Sequence, residues 1–211
     1  PLHELKPRDA LRYQNFLIAR GLSSNAVKFK RSAVSSLCGY VELYYADEYP
    51  LFRNIYNKKI PNPPKALKYE KKPLSEEEFQ HLIDELKNRE QWQMLAYVLF
   101  SYSSGCRRSE AVQLRKEVIH YEKVKGKNYY ATHPIRTKGR GKEGKVRRLL
   151  FDDKAMEAIK KWIEVRGEDD CEYVFVNKTK DGKVERLSPS AFNYWCSEIF
   201  TDIVGRRVHP H

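Results

Sequence analysis

Ser104-Gly105-Cys106-Arg107-Arg108-Ser109-Glu110 closes an apolar run that starts near Trp92. Within that run Met94, Leu95, Tyr97, Val98, Leu99 and Tyr102 leave almost no polar face, the pattern of a helix central to a core. Gly105 stops the helix, and Arg107 follows at once. A guanidinium there is a fixed cation with donors arranged to hold a phosphate by two parallel hydrogen bonds. The bland alternative is a helix-end arginine paired with Glu110 on the surface, worth little energetically. Arg108, its neighbour in sequence, points elsewhere.

Outward from this stretch the period changes. Ala111, Val112 and Leu114 continue as a short helix, after which Val118–His120, Tyr129–Thr132 and Val146–Phe151 read as short strands between Lys-Gly and Gly-Arg-Gly turns. These predict a small antiparallel sheet. Helical spacing returns over Asp153–Val165 and Ser188–Ile203, the latter carrying Ala191, Phe192, Trp195, Ile199 and Phe200. Upstream, Ser75 and Glu78 form a capping box that opens a helix with Phe79, Leu82, Ile83 and Leu86 on one side.

The first part of the chain is helical in a simpler way. Ala10, Tyr13, Phe16 and Leu17 share a face, Gly21 suits a left-handed helix end, and Ser23 or Ser24 caps a second helix. That helix bears Val27, Val34, Leu37, Cys38 and Val41 on an apolar stripe, with Lys28, Lys30 and Arg31 near its start facing phosphates. Between the two parts, residues 57–73 hold four prolines among repeated lysines and read as a linker. The fold class is mainly α with a small antiparallel β-sheet, in two domains: a helical one over 1–56 and a mixed α/β one over 74–211.

The 211 residues carry 40 Lys+Arg against 28 Asp+Glu, a net charge of +12 that calls for a polyanionic partner. Nucleic acid leads, an anionic membrane surface follows. No apolar run approaches the roughly 20 residues of a membrane span, and the first residues lack a signal peptide's apolar core; a soluble, intracellular protein is expected. Cys38, Cys106, Cys171 and Cys196 are scattered without a CxxC pair, which predicts reduced thiols and no zinc site.

Two further segments carry chemistry. Residues 136–148 hold seven basic residues, one acid and three glycines, a hairpin tip able to approach a backbone closely. A lysine there either protonates a leaving alkoxide or neutralises phosphates; a solvated basic loop is the plain alternative. The last residues, His209-Pro210-His211, make a weak metal signal, and a histidine here also suits acid/base work.

Taken in order, these segments resemble the tyrosine recombinase (phage integrase) family. Residues 104–110 match its Thr/Ser-Gly-x-Arg-x-Ser-Glu box, residues 137–141 its lysine-bearing β-hairpin turn, and residues 208–211 the opening of its His-x-x-Arg box. Gly21-Leu22-Ser23-Ser24-Asn25 and the helix after it are similar to the family's core-binding domain. The resemblance implies catalytic roles for Arg107, Lys138 and His211, an orienting role for Glu110, and phosphate contacts from Lys28, Lys30, Arg31, Arg136, Arg140 and Lys142. It further implies duplex DNA as partner, a tetrameric synapse on DNA, no cofactor and no metal, no membrane, and a cytoplasmic, nucleoid-associated protein. The family's second arginine, its further His or Trp and its tyrosine nucleophile come after the His box. None of the 14 tyrosines stands there; Tyr194 lies before the box, in a helix that reads as packed. A catalytic domain cut short before its nucleophile is therefore expected. The open alternatives are a noncatalytic duplex-DNA-binding module of the same architecture and an RNA-binding protein whose aromatics stack on bases.

Overall fold

The computed structural model describes residues 2–56, 60–64, 72–139 and 144–210. The chain divides into two compact units, residues 1–70 and 71–211. Much of the proline-rich stretch lies outside the described residues. Where residues 60–64 are described they belong to the first unit: Arg31 donates to the Pro61 carbonyl at 3.0 Å and Ser24 Oγ to that of Pro64.

In the first unit α1 (Pro7–Ala19) and α2 (Ser24–Tyr44) pack side by side. Gly21 takes the left-handed conformation after α1, and Ser23 caps α2 by accepting from the Ala26 amide. The core is small: Ala10, Cys38, Phe52 and Ile55, with Val34, Val41 and Tyr56 against it. Two residues placed on apolar faces by their spacing are instead exposed, Phe16 and Leu37. A two-helix unit seals one stripe per helix, and these side chains lie outside that stripe.

The second unit is built on α4 (Trp92–Ser104), with α3 (Glu76–Asn88) and α6 (Asp153–Arg166) against it. Tyr97 of α4 stacks face to face on Phe192 at 3.9 Å between centroids, and Phe175 and Trp195 meet the same two rings edge-on. This aromatic cluster explains why α4 is apolar nearly all round. Gly105 ends it in the left-handed region at φ 59°. The short α5 (Arg108–Ala111) starts two residues after Cys106.

Three two-stranded antiparallel pairs follow, rather than one sheet, among the described residues. β1 (Tyr130–Ala131) pairs with β4 (Leu150–Phe151), β2 (Ile135–Thr137) with β3 (Lys145–Arg147), and β5 (Val176–Lys178) with β6 (Val184–Arg186). The segment expected to run unbroken over Val146–Phe151 is thus shared between two pairs. Val118–His120 is not a strand: Lys116–His120 forms a 3₁₀ turn closed by Val118 N–H to Arg115 O and Tyr121 N–H to Val118 O. Arg115 bridges Tyr173 and the Lys116 amide bonds the Glu172 carbonyl, so pairing ends there and the chain turns to bury Val118. The last helical stretch is α7 (Pro189–Tyr194), a π turn over Trp195–Phe200, and α8 (Thr201–Val204). All four cysteines are free thiols, and Cys38, Cys106 and Cys196 are buried.

Candidate active site

The geometry starts at a carboxylate. Glu110, on α5, has a side chain sealed from solvent. One of its oxygens accepts the Arg107 backbone N–H at 2.9 Å and Arg147 Nη2 at 2.8 Å; the other accepts Arg107 Nη1 at 3.0 Å. Burial pushes the Glu110 carboxyl upward, but the bonds from the Arg107 amide, Arg147 and the Arg107 side chain outweigh it. The group ends below its ordinary range and is ionised at neutral pH. A buried anion held this way fixes the direction of whatever it binds.

What it binds faces outward. The side chains of Arg107 and Arg147 remain 54% and 46% exposed while their tips converge on the same carboxylate. Arg107 gives Glu110 one guanidinium donor, and its guanidinium makes no other hydrogen bond among the described residues. The pairing of Arg107 with Glu110 is therefore real, but it is not the surface ion pair of the bland reading: the acid is interior and the arginine is aimed. Arg108 turns inward instead, its Nε buried with no hydrogen-bond partner among the described residues, in the field of Tyr97 and Cys196. Burial pushes the Cys196 thiol up to about 12 and holds the Cys106 thiol high as well, so neither is a nucleophile at neutral pH.

The β2–β3 hairpin is tied to this cluster from both strands. Arg147 on β3 reaches Glu110, and Gln113, just after α5, bonds the backbone of Arg136 on β2. Lys138 stands one residue beyond β2 and is exposed. The hairpin mouth is closed by glycine: a Cβ on Gly139 would lie 2.7 Å from the Lys145 amide nitrogen. Gly144 combines φ +66° with 2.9 Å from a Cβ to the Thr137 carbonyl.

The chain leading to His211 is fixed as well. Arg206 donates to both Glu78 oxygens at 2.6 Å and to the Lys72 and Pro73 carbonyls, tying it to the start of α3. The Arg206 side chain, then the Ser75 amide, lower the Glu78 carboxyl to about 2. Val208 is buried and its amide bonds Thr201 Oγ1 at 3.0 Å. His211 itself lies outside the described residues, as do Arg140 and Lys142. His209 precedes it, half-buried.

In the first unit Lys30 is exposed and Lys28 half-buried. Arg31 is used internally: it bonds Gln14 Oε1 at 2.5 Å and lies over the Tyr56 ring. Lys28, Arg31, Ser32, Ser35, Ser36, Tyr56 and Asn62 line one polar cleft. Tyr194, expected to be packed, is 61% exposed, because Phe192 and Trp195 take the inward positions of that helix. No group of three or more His, Cys, Asp or Glu suited to a metal ion occurs among the described residues, and no described helix is long and apolar enough to cross a membrane.

Arg147, Gln113, Arg206 and His133 are the site-building residues that sequence reasoning passed over. Arg147 sat unremarked in the basic run; alternation along β3 was its available signal. The other three pair with residues 20 to 134 positions away and carry no local mark.

The structure thus brings together, on a mainly helical unit, a buried carboxylate, two half-exposed arginines at a glycine-stopped helix end and a basic hairpin docked beside them. The phage integrase family model matches residues 72–211, and the chain belongs to that family. It is similar to the SPbeta prophage-derived recombinase-like protein YomM of Bacillus subtilis (strain 168), at 35% identity over 213 residues covering 100% of this chain and 63% of the relative. Tyrosine recombinase XerA of Pyrococcus furiosus is 31% identical over 213 residues, covering 97% of this chain and 63% of the relative. The chain thus spans less than two thirds of the length of these relatives. A solved structure of the Tn1549 transposon integrase in complex with transposon right end DNA superimposes with a TM-score of 0.65 at 16% identity. It covers 94% of this chain and 66% of that one, a likeness of fold.

Proposed function

We propose that the protein to which this chain belongs cleaves and rejoins DNA at specific sites through a 3′-phosphotyrosyl intermediate, in the integration or excision of a mobile element. The observation that carries this reading is Glu110, a sealed carboxylate that holds Arg107 by backbone and side chain while leaving most of its guanidinium to an incoming phosphate.

In this reading a tyrosine outside the chain attacks the scissile phosphorus, forming the tyrosyl O–P bond as the P–O5′ bond breaks. Arg107 offsets charge on the non-bridging oxygens, Lys138 gives its proton to the leaving 5′-oxygen, and His211 assists proton transfer. Glu110 orients Arg107. The 5′-hydroxyl of a partner strand reverses the step, so neither ATP nor a metal is needed. Lys28, Lys30, Arg31, Arg136, Arg140 and Lys142 contribute phosphate contacts, which position the protein on duplex DNA and make affinity fall with salt. Residues 1–56 serve as the core-binding domain and 74–211 as the catalytic domain, joined by 57–73, in a protein that assembles as a tetramer on DNA in the cytoplasm. The names of YomM and XerA and the DNA complex of the Tn1549 integrase support it.

A nicked suicide duplex tests it. The full-length protein is expected to form a covalent protein–DNA complex, while residues 1–211 alone bind the duplex in a salt-sensitive way without an adduct. An adduct from residues 1–211 would overturn the placement of the nucleophile. Binding without any adduct from the full-length protein would make it a DNA-binding module instead.

A further inference from the structure

We infer that Gln113 is a positioning residue for Lys138, holding the hairpin that carries it against the Arg107 segment; the inference rests on the reading of Lys138 given above. In the β2–β3 pair, Arg136 lies opposite Val146, between Ile135↔Arg147 and Thr137↔Lys145. Backbone groups of successive residues in an antiparallel strand point alternately toward the partner and away. The Arg136 N–H and C=O point away from β3, toward an edge that has no third strand among the described residues.

The Gln113 carboxamide occupies that edge. Its Oε1 accepts the Arg136 N–H at 3.0 Å and its Nε2 donates to the Arg136 C=O at 2.9 Å, the pairing a neighbouring strand would supply. Nε2 also donates to the Ser109 carbonyl at 2.5 Å, so one side chain joins α5 to β2. The Gln113 backbone carbonyl takes His133 Nε2 at 3.0 Å, fixing the approach to the same strand.

Lys138 lies two residues beyond Arg136, and at Gly139 and Gly144 beside it the two strands run too close to leave room for a side chain. The grip at Arg136 therefore sets where the Lys138 backbone stands, and with it the space its side chain can reach. Only a carboxamide of this length supplies one acceptor and two donors there. A carboxylate would face the Ser109 and Arg136 carbonyl oxygens with no proton to offer.

When the P–O5′ bond breaks, its electron pair goes to O5′, and Lys138 supplies the proton. A substrate with sulfur in place of that bridging oxygen leaves as a thiolate and needs no proton. Single-turnover cleavage by the full-length protein is compared on the two substrates. Gln113→Ala and Gln113→Glu are expected to slow cleavage of the oxygen substrate by about ten- to a hundredfold, the scale on which a displaced catalytic group costs rate. DNA affinity should stay near the parent's, and the sulfur substrate should restore most of the rate. Hydrogen exchange at the Arg136 amide should speed up in Gln113→Ala and stay slow in Lys138→Ala, which is also expected to be rescued by sulfur.

If Lys138→Ala is rescued but the Gln113 variants are equally slow on both substrates, or cleave at the parent rate, the inference fails while the role of Lys138 stands. If Lys138→Ala is not rescued, the role of Lys138 fails and takes the inference with it.

Discussion

Among its described residues the second unit contains two arginine–glutamate clamps at helix starts that use their arginines differently. Glu78 and Glu110 each occupy the third position of a helix, each accepts the backbone N–H three residues back, and each holds arginine. Arg206 is spent: both Glu78 oxygens and two carbonyls take its donors, and both side chains are 30% exposed. Arg107 is barely used, with one guanidinium donor on Glu110 and more than half of its side chain open to solvent. The same local motif thus yields a structural tie in one place and a half-exposed cation with donors to spare in the other. The partner's remaining donors decide which.

Substitutions break the comparison at its two ends. Arg107→Ala is expected to lower the single-turnover cleavage rate of the full-length protein by roughly two to three orders of magnitude, as for removal of one oxyanion donor. Its melting temperature should fall as well, but less than in Glu110→Ala, because Glu110 keeps the Arg107 amide and Arg147 on one oxygen and loses the donor on the other. Glu110→Ala acts on stability as well, since it leaves the Arg107 amide and two guanidinium tips without their acceptor. A loss of about 2–3 kcal/mol is expected by denaturant unfolding, below that of a sealed ion pair because both arginines reach water. Arg206→Ala should cost about 1.5–2 kcal/mol of the same stability, and cleavage per folded molecule should fall far less than in Arg107→Ala. Equal kinetic losses in the two arginine variants would erase the distinction.

Acid sharpens it. The Glu78 carboxyl is depressed to about 2 by Arg206 and the Ser75 amide. Its contribution is complete above its ordinary value and is lost as pH falls through the folded one. Glu110 is also lowered and is lost in the same direction, so unfolding near pH 3 should show less difference between the parent and Arg206→Ala than unfolding at pH 7.

The smallest effect is at His133. Burial lowers its pKa against the Gln113 carbonyl, with Arg115 lowering it further and Glu117 and Glu172 opposing. A lowered histidine contributes stability above its ordinary 6.5 that is lost as pH falls below it. The parent should therefore lose about 1–2 °C more of melting temperature than His133→Gln between pH 7.5 and 5.5.

The clamps also show what the sequence could disclose. Ser75 with Glu78, and Arg107 with Glu110, are legible because a helix start is a local event of three or four residues. Glu78 and Arg206 are 128 residues apart, and nothing in either neighbourhood announces the other. Helices α3, α4 and α6 follow from apolar spacing, since each buries a continuous stripe. The β5–β6 hairpin does not: Val176-Asn177-Lys178 and Val184-Glu185-Arg186 are short and mostly polar, so no alternation marks them. Val118–His120 misled for the opposite reason, an apolar step in a segment whose pairing had already ended at Arg115. At the site, Arg107, Glu110 and the lysine hairpin were legible through their order along the chain. Gln113 and Arg147 enter through contacts made across 23 and 37 positions of sequence.

The claim that Arg107 exists to meet phosphate charge has a direct test, in which the scissile phosphate is replaced by an uncharged methylphosphonate. With no anionic oxygen to neutralise, Arg107→Ala in the full-length protein should regain at least about tenfold of its lost cleavage rate relative to the phosphate substrate. The same defect on both substrates would contradict the account.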